Sequence, residues 1–178
     1  MSESKRERLA LEPAADCDPV IAVALWGLQD ARRRTGEALH HVNPAALEWQ
    51  LNGGGHSIAT LLYHIAAIEL DWLHSDVAEG KLPEDIWQLF PHDVRDANGK
   101  LTIVKGETLE SLWSRLEQVR ALLLTTFKRM TLDEYRRPRV LERYEVTPEW
   151  VLYHLMQHEA EHRDELRRLR QNAENEVV

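Results

Sequence analysis

Four stretches of this 178-residue chain carry apolar residues at the helical repeat, and that periodicity excludes most folds before any motif is considered. The first opens at Asp18-Pro19, a capping residue followed by proline at the first helical position. Its stripe is Ile21, Ala24, Leu25, Leu28, Ala31, Thr35 and Leu39, and it stops before Asn43-Pro44. Gly53-Gly54-Gly55 breaks the chain. Ser57 is then placed to cap a second helix with Ile58, Leu61, Leu62, Ile65, Ile68, Trp72 and Leu73, ending near Gly80. Residues 80–106 read as a long connection rich in turn formers, in which 101–104 form a short strand or an extended segment. A third helix runs from about Glu107 through Leu109, Leu112, Trp113, Leu116, Val119, Leu123, Phe127 and Met130. Residues 131–146 read as irregular. Thr147-Pro148-Glu149 launches a fourth helix to about Arg170, striped by Val151, Leu155, His158, His162, Leu166 and Leu169. Amphipathic helices of this length bury their stripes against one another, so the expected fold is an all-α four-helix bundle. One domain spans 1–178, with a short N-terminal arm and a frayed tail from Gln171. The long second connection leaves room for helices two and three to run parallel.

Composition narrows the function. A net charge of −8 opposes a nucleic-acid partner, since phosphate binding needs a dense Lys/Arg surface. The local exceptions, Arg32-Arg33-Arg34 and Arg136-Arg137-Pro138-Arg139, read as solvated surface. One cysteine, Cys17, rules out an internal disulfide and suits a reducing compartment. The charged start, Met1 to Arg8, is followed by no apolar run resembling a signal peptide, and no segment approaches the ~18–20 apolar residues of a membrane span. A cytoplasmic protein without a membrane partner is expected.

His158 and His162 occupy positions where the pattern calls for leucine, and His64 lies three residues after Leu61 and four before Ile68. Histidines at i and i+4 lie on one helix face, so two imidazoles there can share a divalent ion. A third imidazole from a neighbouring helix completes a set with an open position, as catalytic metal sites require. Burying three imidazoles unpaired costs roughly 1–3 kcal/mol each, which one ion would relieve. His154 extends the ladder, but three residues at four-residue steps span ~12 Å, too far for one ion. The expected ligands are therefore His64, His158 and His162, with His154 as a supporting or pocket residue. His40, His41, His56, His74 and His92 read as ordinary surface histidines, and Trp72, Tyr63, Tyr153 and Trp150 as core packing before pocket lining.

His158-Glu159-Ala160-Glu161-His162 also matches the H-E-x-x-H pattern of metalloproteases, in which the glutamate is a general base. Only 16 residues follow His162, little room for a downstream third ligand, and the chain offers no sheet edge to hold a peptide. Glu159 lies ~100° around the helix from His158 and reads as a solvated or flanking carboxylate.

Residues 57–69 and 151–163, with one histidine in the second helix and an H-x-x-x-H pair in the last, resemble the DinB-like family, grouped with YfiT-type metal-dependent hydrolases. The resemblance covers nearly the whole chain. It implies a bundle binding zinc or nickel through His64, His158 and His162, a small-molecule substrate, and a homodimer. Relatives include transferases that use low-molecular-weight thiols, and residues 96–107 are similar to a loop of the mycothiol-transferase-like branch. The leading expectation is a metal-dependent transferase in which the ion holds a thiol as thiolate. The same ligands acting on water would serve hydrolysis of a small amide or ester, and a non-catalytic metal-binding stress protein is the third reading.

Overall fold

The computed structural model describes residues 9–51 and 54–176; Met1 to Arg8 and Gly53 lie outside the described residues. Four long helices carry the fold: α1 (Pro19–Ala38), α2 (Ile58–Trp72), α3 (Leu109–Lys128) and α5 (Pro148–Glu176). The capping signals read at Asp18, Ser57 and Thr147 act as such, and Thr108 adds one that was not read. Asp18, Ser57, Thr108 and Thr147 each accept a hydrogen bond from a first-turn amide, at 2.8–3.1 Å. α2 passes into a π-helical turn, Leu73–Val77, and stops at Gly80, whose φ of 78° is one that glycine adopts without strain.

Two clusters of buried side chains fix the topology. One joins Leu39 with Ile58 and Leu62, Leu112 and Leu116, and Leu166 and Leu169. The other joins Ile21 and Leu25 with Leu73, Leu123 and Phe127, and Val151 and Leu155. The start of α1 therefore lies beside the start of α5, and the ends of α2 and α3 lie together. α1 and α5 run one way, α2 and α3 the other, parallel to each other. Parallel neighbours need a connection that travels back along the bundle, which accounts for the length of residues 78–108. Tyr63 pins that connection: its hydroxyl donates to the His92 carbonyl (2.6 Å) and accepts from the His92 amide (3.0 Å). Arg115 donates to the Leu89 carbonyl (2.6 Å) and to Glu107 (2.8 Å) while lying over the Tyr63 ring.

Several sequence expectations need correction. Residues 131–146 hold a short helix, α4 (Leu132–Arg136), and a two-strand antiparallel hairpin of β1 (Arg139–Val140) and β2 (Glu145–Val146). The overlooked signal is the capping box Thr131…Glu134, in which each residue bonds the other's backbone amide. α5 does not fray at Gln171. Ala173 is buried, and Glu176 accepts from the Trp49 indole (2.8 Å), so tertiary contacts hold the last turns.

The largest departure lies at the bundle centre. Arg32, Glu69, Arg120 and Glu159, one from each long helix, form a closed set of ion pairs, each side chain 6% exposed or less. Arg32 reaches Glu159 at 2.8 Å and Glu69 at 2.9 Å; Arg120 reaches Glu69 at 2.7 Å and Glu159 at 2.9 Å. Arg32 is thus no solvated surface residue, and Arg139 is buried too, although Arg33 and Arg34 are exposed. Two positive and two negative charges cancel, which is the condition for burying any of them. Burial opposes ionisation of Glu159, but Arg32 and Arg120 outweigh it and hold the carboxyl below its usual range. Removing one member leaves a charge buried without its partner. Glu159→Ala is expected to cost about 3–5 kcal/mol in urea unfolding, whereas Asp164→Ala on the exposed face stays within about 0.5 kcal/mol.

Candidate metal centre

α2 and α5 bring together the three histidines singled out in the sequence. His158 Nε2 lies 3.2 Å from His64 Nε2 and 3.1 Å from His162 Nε2. One ligand atom from each residue falls within 4.8 Å of the other two, a set that could hold a metal ion. A neutral imidazole nitrogen carries one proton or one lone pair. Nε2 of His158 can therefore satisfy only one of its two neighbours at a time. Two nitrogens on a tetrahedral zinc at ~2.05 Å are separated by about 3.3 Å, close to the spacing found here. The donor set fits a divalent cation better than it fits its own hydrogen bonding.

Electrostatics favour the ligand form. Burial, reinforced by His158 and His162, pushes the His64 pKa down to about 3. Burial, reinforced by His162 and His154, pushes that of His158 down to about 4. Both rings are neutral at pH 7 and keep a lone pair for a metal. His64 Nδ1 is buried without a hydrogen-bond partner, so its other edge gives no competing anchor.

The inward face of α5 is not centred where the sequence places it. Glu159 is 1% exposed and stands at the centre of the buried arc, while His158 and His162 are half-buried at its margin. That margin opens on a cleft of about 700 Å3, whose wall includes His64 and His162. Gln50, His56, Arg95, Asp96 and Lys100 supply the polar remainder. Asp96 anchors the loop that delivers the last three. Its carboxylate accepts from the amides of Asn98 (2.8 Å) and Lys100 (3.0 Å), and Gly99 takes a φ of 76°.

Two residues overlooked in the sequence belong to the site. Glu165 places one oxygen 3.4 Å from Nδ1 of His162 and the other 3.0 Å from Nδ1 of His56. His56 is thus a wall of the cleft and not an ordinary surface residue. The spacing His162…Glu165 (i, i+3) was visible in the sequence; the approach of His56 was not. His154 stands outside the triad, its ring stacked on Trp150 at 4.9 Å and 8°. Trp150 and Tyr153 are 45% and 57% exposed, against the expectation of core packing, whereas Tyr63 is buried as read. Glu159 cannot serve as a metalloprotease base, because both its oxygens are engaged by buried guanidinium groups.

The depressed histidine pKa values imply a pH dependence. Unfolded histidines titrate near 6.5, while folded His64 and His158 stay neutral to about 3 and 4. Below pH 6.5 the unfolded chain takes up protons that the folded chain refuses, so stability falls as pH falls. Urea unfolding in the presence of chelator is expected to show a lower midpoint at pH 5.5 than at pH 7. A His64→Leu/His158→Leu variant should show a shallower decline, and an equal decline would contradict the assignment.

No helix among the described residues is long and apolar enough to cross a membrane. No curated protein matches the chain. The model of the mycothiol S-transferase family, which belongs to the DinB/YfiT-like group, matches residues 25–174, from the middle of α1 to the last turn of α5. That span contains the ion quartet, the histidine triad and the loop over the cleft, and the chain belongs to the mycothiol S-transferase family.

Proposed function

We propose that this protein binds a divalent metal ion, zinc or nickel, through Nε2 of His64, His158 and His162 and transfers a low-molecular-weight thiol to an electrophile. The observation that carries the reading is the convergence of three imidazole nitrogens, those of His64 and His162 lying 3.2 and 3.1 Å from that of His158, at a cleft large enough for a small molecule. The family is one of thiol-using transferases, which supplies the reaction class. A divalent cation in this site would keep a coordinating thiol in its thiolate form at neutral pH, the form that attacks carbon.

The chain's own residues do the rest. His64 and His158 stay neutral and present lone pairs. The Glu165 carboxylate, 3.4 Å from Nδ1 of His162, favours the proton on that nitrogen and so leaves the Nε2 lone pair for the metal. Gln50, Asp96, Arg95 and Lys100 offer hydrogen-bonding groups of both kinds to the hydrophilic body of the thiol. The ion quartet holds α2 and α5 in register without the metal, so the site is preformed.

Elemental analysis of protein purified without added chelator is expected to show about one zinc or nickel per chain, lost in His64→Ala and in His158→Ala. With mycothiol and a halogenated acceptor, free thiol should disappear only in the metal-loaded wild type. Chelation should abolish this while leaving the far-UV circular dichroism essentially unchanged; collapse of the helical signal would assign the ion a structural role instead. Glu165→Gln should weaken zinc about 10–100-fold with little change in the unfolding midpoint, read by competition with a chromophoric chelator.

A further inference from the structure

The groove between α2 and α5 does not end at the triad. His64, Ile68 and Trp72 follow one another at four-residue steps on α2, and Trp150, His154, His158 and His162 do so on α5. The two helices run antiparallel, so Trp72 meets Trp150 as His64 meets His158. All of these side chains except His64 are at least partly exposed, and the rings of His162, His158, His154, Trp150 and Trp72 follow one another along the groove. Ring centroids lie 4.5 Å apart from His162 to His158, 6.0 Å to His154, and 4.9 Å from His154 to both Trp150 and Trp72.

At the far end of this line lies a second cavity, of about 620 Å3, between the start of α5, the β1–β2 hairpin and the end of α2. Trp72, Tyr144 and Trp150 form one aromatic wall, with centroids 5.4 and 6.2 Å apart, and Val146 and Pro138 add apolar surface. Two hydroxyls at this wall are engaged within the chain. The Tyr144 hydroxyl donates to Asp76 at 2.8 Å, and the Thr147 hydroxyl accepts from the Trp150 amide at 3.1 Å. Glu145 is the single charged residue of the lining. The triad's two flanks thus differ in kind: a cleft lined by Gln50, His56, Arg95, Asp96 and Lys100 on one side, and an aromatic cavity with a single charged residue on the other.

We propose that the aromatic cavity is the seat of the electrophilic co-substrate, and that its chemical class is an electrophile carrying a planar apolar group on an arm long enough to reach the triad. Eight residues separate Trp150 from His158, a rise of ~12 Å along α5, so a compact electrophile does not span both places while an extended one does. The inference rests on the transferase reading above. In the transfer the S–C bond forms as the bond from carbon to the leaving group breaks; the leaving group departs with the electron pair, and the thiol proton passes to solvent.

The test has two arms. In the first, unreactive naphthylethyl acetamide is titrated calorimetrically into metal-free protein. Saturable binding at one site per chain is expected, weakened at least tenfold in Trp150→Ala, a variant expected to fold because Trp150 is half-exposed and outside both core clusters. Absent binding, or equal binding in the variant, overturns the proposal whatever the metal does. In the second, zinc-loaded enzyme and mycothiol are given naphthylethyl iodoacetamide or iodoacetamide. Trp150→Ala should lower kcat/KM about tenfold or more for the aromatic compound and less than twofold for iodoacetamide. Equal losses for both overturn the seat, whereas loss of thiol transfer in the wild type with calorimetric binding intact sinks the transferase reading alone.

Discussion

The ion quartet at the centre of the bundle is the interaction on which the remaining geometry depends. Arg32, Glu69, Arg120 and Glu159 each come from a different long helix, and every one of the four charges is met within 2.9 Å by two members of opposite sign. Hydrophobic stripes alone specify a bundle loosely, since burial is non-directional and tolerates sliding. Charges in a low-dielectric interior do not tolerate it, because a slipped register leaves a guanidinium or a carboxylate alone at a cost of several kcal/mol. The quartet need add little net stability to act in this way. Its effect is to make the wrong arrangements expensive.

The histidine triad inherits its precision from that constraint. Glu159 is the neighbour of His158 on α5, and Glu69 lies five residues beyond His64 on α2. Fixing the two glutamates fixes the rotation and height of both helices, and hence the meeting of Nε2 atoms from two separate elements. The same arrangement separates two roles that the motif H-E-x-x-H invites one to merge. Glu159 points into the sealed centre and clamps the bundle; His158 and His162, both to one side of that direction, face the open groove. Access and anchoring are thereby divided between adjacent residues. Glu165, a third exposed, stands on the open side and bridges His162 to the cleft wall at His56.

Much of this is legible in the sequence. Helix number, caps and the parallel pair α2 and α3 follow from apolar spacing and from the length of one connection. The triad follows from histidine at positions where leucine is called for. Glu159 and Arg32 were misread for a common reason. A helix that packs against several neighbours buries an arc wider than the most apolar seam, and charged residues inside that arc look solvated until their partners on other helices are known. His56 was missed likewise, since no local pattern places a loop residue against a helix 109 positions later. The hairpin at 139–146 is too short to carry periodicity, whereas its preceding capping box could have been found.

Zinc K-edge absorption on protein loaded with one equivalent of zinc tests the central claim most directly. Three imidazole nitrogens at about 2.0–2.1 Å are expected, with at least one lost from the shell in His64→Ala and in His162→Ala. An all-oxygen shell, or a shell unchanged by both substitutions, would show that the three rings do not hold the ion.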